Sequence, residues 1–188
     1  MKVKSEIVSS TKINLFNQKN INITTQRTRP KSTIRRYLIP NTCRLFIGEN
    51  KINNIYNELK NDLLLDDSKK AVPNAVGVLF RVFLETSVDH FADKKDISLL
   101  YLGGNSMKLK DKITKVASFM ESNGIATKKQ LKNMRSVANH KSSILAIESF
   151  HMYVHSYKHQ PASNDLKTKW DNLEEFFIIL WNSLKSKK

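Results

Sequence analysis

Apolar residues along much of this chain recur at intervals of three and four, the spacing of one face of an α-helix. Ile52, Ile55, Tyr56 and Leu59 fall at that spacing and predict a first helix near 51–62. A second begins at Pro73, a residue favoured in a first helical turn because its missing N–H is not needed there, and runs on through Phe91. Apolar side chains occupy most of its circumference, which predicts a helix buried at the middle of a bundle. Arg81, Glu85 and Asp89 follow at steps of four on that helix. Charges on a buried helix must be paired. The stripe reads either as a structural tie between helices or as support that orients catalytic side chains.

Residues 93–107 form a polar connection containing Gly103-Gly104-Asn105. A helix near 108–122 follows, with Leu109, Ile113, Val116, Ala117 and Met120 on its apolar face and Gly124 closing it. Thr127-Lys128-Lys129-Gln130 is a capping box, so another helix is expected to start there, with Leu131, Met134, Val137 and Ala138 facing the core. Helix is expected again from Ser143 to Tyr157, ending before Pro161. Ser163 or Asn164 is expected to cap a last helix that reaches about Leu184 and buries Leu166, Trp170, Leu173, Phe177, Leu180, Trp181 and Leu184. The pattern predicts an all-α fold, a bundle of five to six helices over residues 51–188.

The first fifty residues differ. Residues 1 to about 35 are polar with no period, and Arg36 to Ile47 has room for one or two short extended pieces. Residues 1–50 carry 10 Lys/Arg against 2 Asp/Glu and read as an irregular basic arm or linker. Cys43, the sole cysteine, is expected to be exposed there and makes a weak nucleophile. A single cysteine excludes an internal disulfide and suits a reducing, cytoplasmic setting.

With 5 Gly and 4 Pro in 188 residues, a β-sandwich with many tight turns is disfavoured. The N-terminus lacks the apolar stretch of a signal peptide. The longest apolar runs, Ala75–Phe80 and Phe176–Trp181, are too short to span a bilayer, so no membrane partner is expected. A net charge of +15 points to polyanions, most simply nucleic acid. The other reading of that charge is a solubilising lysine surface.

Arg135 and His140 form the leading chemical candidate. Histidine titrates near neutrality and can move the proton of a 2′-hydroxyl. Arginine stays charged and can hold a phosphate as negative charge builds on it. Five residues of ideal helix turn 500°, leaving the two side chains about 140° apart. They converge only if the helix ends near Asn139, if it bends, or if a second subunit completes the site. Residues 108–141 hold 9 Lys/Arg against 2 acids, and Lys128, Lys129, Lys132 and Lys141 flank the pair, so phosphate contacts are expected there. The alternative is a surface arginine and a helix-end histidine that suits the dipole. His151, His155 and His159, each four apart, match a zinc-ligand spacing. No cysteine stands beside them, so neither a metal nor a cofactor is expected, and His155 is instead a candidate second acid/base group. Gly-rich phosphate loops, a Gly-x-Ser-x-Gly elbow and a Cys pair are absent from the sequence.

With Arg135-x₄-His140 placed late in a helical bundle, residues 71–185 resemble the HEPN superfamily (higher eukaryotes and prokaryotes nucleotide-binding domain). The resemblance is carried by the Pro73–Phe91 helix with its internal Glu85, by the Arg135–His140 motif, and by the closing segment from His151-Met152-Tyr153-Val154-His155 through Pro161-Ala162-Ser163 and Leu166 to Trp170. Ile34–Leu59 and Pro73–His90 also resemble the C-terminal part of some bacterial proteins that carry a ParB-like nuclease domain in front. The family resemblance implies a HEPN-like bundle, often a homodimer with motifs meeting across the interface. It implies metal-independent RNA cleavage in toxin, abortive-infection or other defence systems, with an antitoxin or defence-system partner. In that scheme His140 acts on the 2′-hydroxyl, Arg135 stabilises the phosphorane-like charge, and the product is a 2′,3′-cyclic phosphate. Glu85, Asp89, Asn139 and His155 are the residues expected to support the pair. Ser136 departs from the family, which often has a strongly polar residue such as Asn after the arginine. A non-catalytic helical dimerisation or nucleic-acid-binding module is the competing expectation.

Overall fold

The computed structural model describes residues 35–139, 152, 156–158 and 160–185. All of them lie in one compact unit, Lys31–Lys188. The described residues form five α-helices and no strand: α1 (Asn50–Asn57), extended by a wider turn over Glu58–Asp62, α2 (Pro73–Lys94), α3 (Leu109–Ser122), α4 (Lys132–Asn139) and α5 (Ser163–Ser183). The fold is all-α, as the apolar spacing predicted. Most of the helix expected over Ser143–Tyr157 lies outside the described residues.

Helix α2 is the central element and packs against α1, α3 and α5. Its fully buried Phe80 and Phe83 meet Trp170 at ring-centroid distances of 5.7 and 6.1 Å. Phe83 also meets Phe177 at 4.9 Å, and further on His90 stacks over Trp181 at 5.5 Å. The partners advance together along both helices, so α2 and α5 run parallel and their C-terminal ends lie side by side.

Local signals set the boundaries. Gly124, at φ +66°, ends α3. Its N–H donates to Glu121 and that of Ile125 to Met120, the paired bonds of a Schellman cap. The capping box forms as expected: the Thr127 N–H donates to Gln130 Oε1 at 3.0 Å, and the Gln130 N–H to Thr127 Oγ1 at 3.3 Å. Regular helix nevertheless starts only at Lys132, after one turn. The last helix is not capped as expected. Ala162 occupies the N-cap without a side-chain bond, and the Ser163 hydroxyl instead donates to the Leu65 carbonyl at 2.6 Å. That hydroxyl ties the α1–α2 connection to α5.

The segment before α1 enters the core. Leu38, Ile39, Cys43 and Leu45 are buried in the same cluster as the helices. Cys43, expected to be exposed, is 3% accessible, and its carbonyl accepts from the Tyr56 hydroxyl and from Lys60 Nζ. Arg35 fixes this segment to α5, bonding the carbonyls of Leu38 and Lys167 and pairing with Asp171 at 3.0 Å. Lys167, almost fully buried, reaches Asp66 at 2.7 Å. Burial pushes the Lys169 ammonium down to about 8, against the opposing pull of Asp165.

Candidate nucleic-acid interface at the α3–α4 corner

Leu131, Met134 and Ala138 face the core and so turn Arg135 toward the edge of the bundle, where the end of α3 meets α4. Asn133 contacts Asn172 at 3.4 Å and links α4 to α5. The Arg135 guanidinium is held by Glu121 of α3, with Nη2 to Oε2 at 2.5 Å. About a third of each side chain stays accessible, 32% and 37%. Nε of Arg135 is buried without an acceptor among the described residues. The arginine is therefore anchored on one edge, and its charge is partly balanced by one carboxylate. Lys128, Lys129 and Lys132 are exposed around it. None of the three takes part in an ion pair among the described residues.

The partners expected for Arg135 divide into two groups. His140, Lys141 and His155 lie outside the described residues, as do His151 and His159 of the zinc spacing. Asn139 is the last described residue of α4, and its side chain is not among those described. The helical path thus runs unbroken from Arg135 to Asn139. Among the described residues no group of three or more His, Cys, Asp or Glu is placed to hold a metal.

Glu85 and Asp89 are described, and they meet Lys112 rather than Arg135. Lys112 Nζ lies 3.4 Å from Glu85 and 2.9 Å from Asp89, while Arg81 lies 3.6 Å from Glu85. Burial alone would lower the Lys112 pKa. The hydrogen bond and charge of Asp89, joined by Glu85, outweigh it and leave the pKa raised. Lys112 sits nine residues before Glu121 on α3, about 13 Å along the axis. The stripe read from the sequence thus ties α2 to the start of α3, at the opposite end of α3 from the Arg135 contact. Glu121 is the neighbour of Arg135 that sequence reasoning missed. Its one available signal was scarcity, since Glu121 and Asp111 are the two acids among residues 108–141. Asp111 is engaged by the Tyr101 hydroxyl of the α2–α3 connection.

Compared with known proteins, the chain matches no family model, no curated protein and no solved structure. No helix among the described residues is long and apolar enough to cross a membrane.

Proposed function

We propose that the chain is a HEPN-type endoribonuclease, cutting RNA without a metal and acting as a cytoplasmic homodimer in a bacterial defence or toxin system. The observation that supports this reading most is Arg135, carried on α4 at the bundle edge and fixed in orientation by Glu121 while part of it stays open to solvent. A pre-oriented guanidinium is what a pentacovalent phosphate requires, because it stabilises developing charge without reorganising. Exposed Lys128, Lys129 and Lys132 draw the backbone toward it.

In the proposed reaction His140 removes the 2′-hydroxyl proton and the oxygen attacks the adjacent phosphorus. Arg135 balances the charge on the non-bridging oxygens. The 5′-oxygen leaves with a proton supplied by a second acid, for which His155 is the candidate, and a 2′,3′-cyclic phosphate remains. The test is incubation of the full chain with single-stranded RNA in EDTA. Cleavage by the native chain, lost in His140→Ala, supports the reading; equal cleavage by both excludes His140.

One observation favours a second reading. Glu121 partly balances the Arg135 charge, which suits a structural ion pair in a non-catalytic nucleic-acid-binding module. Under that reading binding falls steeply with salt and His140→Ala changes nothing.

A further inference from the structure

One cavity lined by described residues lies away from α3 and α4. It is an open groove of about 860 Å³ where the ends of α2 and α5 lie side by side and residues 45–49 cross them. Its walls combine two kinds of group. The aromatic part is Phe46, 64% exposed, together with the His90–Trp181 stack. The cationic part is Lys94, Lys95 and Lys185. Glu49 is the one acidic residue in the lining.

A large exposed aromatic ring next to a core needs a reason, because Leu38, Ile39, Cys43 and Leu45 of the same segment are all buried. Phe46 points out of that core, and Lys185 Nζ stands 3.9 Å from its ring centroid. Lysines near helix C-termini often serve only to offset the last carbonyls. Lys95 does this, donating to the Ser183 carbonyl at 3.3 Å. Lys185 has instead gone to the aromatic face, and none of the three lysines is in an ion pair among the described residues. The groove therefore joins cations that lack ion pairs among the described residues to an exposed ring, one face of which Lys185 takes. Trp181, part of the lining, also has a buried indole N–H with no acceptor among the described residues.

We propose that this groove binds a short single-stranded polynucleotide, with a base stacked on Phe46 and the flanking phosphates on Lys94 and Lys185. Stacking on an exposed ring beside a basic track is how proteins hold unpaired strands, and a duplex hides the base faces that Phe46 would meet. Cavities of about 300–1,000 Å³ hold ligands of small-molecule size, which here corresponds to a few nucleotides. An acidic peptide would use the lysines but gain little from the exposed ring beside them. The proposal stands apart from RNA cleavage, since none of the lining residues belongs to α3 or α4.

The test uses the full chain carrying His140→Ala, so that any cleavage is removed from the measurement. Fluorescein-labelled twelve-nucleotide oligo(U), oligo(dT), a blunt duplex of equal length and a polyglutamate peptide are titrated, with melting temperature recorded for each variant. Single strands are expected to bind more tightly than the duplex and the peptide. Phe46→Ala should weaken single-strand binding about 5- to 150-fold, the range for one lost base stack. Lys94→Ala should lower the slope of log affinity against log salt by roughly 0.7, one phosphate contact. The two oligonucleotides separate RNA from DNA. Unchanged affinity in Phe46→Ala and in a Lys94→Glu/Lys185→Glu variant that melts like its parent overturns the proposal, as does tighter binding of duplex or peptide. Failure of the ribonuclease reading leaves this binding result untouched.

Discussion

The α3–α4 corner and the groove between the ends of α2 and α5 are both basic, yet they treat their charge in opposite ways. At the corner the central cation is paired: Arg135 is pinned by Glu121, and only the surrounding lysines are free of acids among the described residues. In the groove the lysines lack ion pairs among the described residues, and one of them covers an exposed ring. A paired, oriented arginine is suited to a single phosphate at a fixed place. Unpaired lysines around an aromatic face suit a strand held loosely along its length. Net charge alone, +15 for the chain, does not distinguish these arrangements; the placement of Glu121 and Phe46 does.

The largest expected effect asks whether the two regions share one scaffold. Phe83 touches Tyr56, Trp170 and Phe177 between them. Phe83→Ala should cost about 3–5 kcal/mol in denaturant unfolding. Both regions should lose function in a single transition; separate transitions would show that they fold independently. Next, Arg135→Ala should lower cleavage about 10²- to 10³-fold, the usual cost of a charge-stabilising donor, and leave the binding of oligo(U) nearly unchanged. A parallel loss of binding would merge the two regions into one site.

Lys169 on α5 offers a test of comparable size through pH. Its folded pKa of about 8 lies below the ordinary 10.5. Between those values the unfolded chain binds the extra proton, so this group makes folding more favourable as pH rises from about 8 to 10.5, by roughly 3 kcal/mol in all. The penalty is fully present below pH 8. Lys169→Met should flatten that rise in a series of unfolding curves; an unchanged slope would mean that burial does not depress this ammonium. Smallest is Glu121→Gln, which keeps a hydrogen-bond acceptor but removes the charge. If Glu121 only positions Arg135, turnover should fall roughly tenfold, the low end for losing a partner that orients an active group, with KM held. A rise in activity would mean that the carboxylate restrains the arginine.

Helix positions were legible because burial imposes a period: Phe80, Phe83, Leu84, Val88 and Phe91 trace the interior of α2, and Leu166, Trp170, Leu173, Phe177 and Leu180 that of α5. Gly124 and the Thr127–Gln130 box were readable because each answers a local backbone need. Leu38, Ile39, Cys43 and Leu45 gave no period, since an irregular strap is buried by what it crosses and not by its own repeat. Nothing local in the sequence told that Asp89 and Asp66 would neutralise the buried Lys112 and Lys167. At the corner, Arg135 was legible as a motif residue, but its partner lies fourteen positions back on another helix. The groove was invisible for the same reason: Phe46, Lys94 and Lys185 are distant in sequence and meet only where two parallel helices end.

The most direct measurement is the chemistry of the fragment ends. RNA incubated with the full chain in EDTA should yield fragments whose mass corresponds to a 2′,3′-cyclic phosphate, and a strand with a 2′-deoxy sugar at the cleaved position should survive intact. Fragments ending in a 3′-hydroxyl, cutting at the 2′-deoxy position, or no fragments from the native chain would contradict the account.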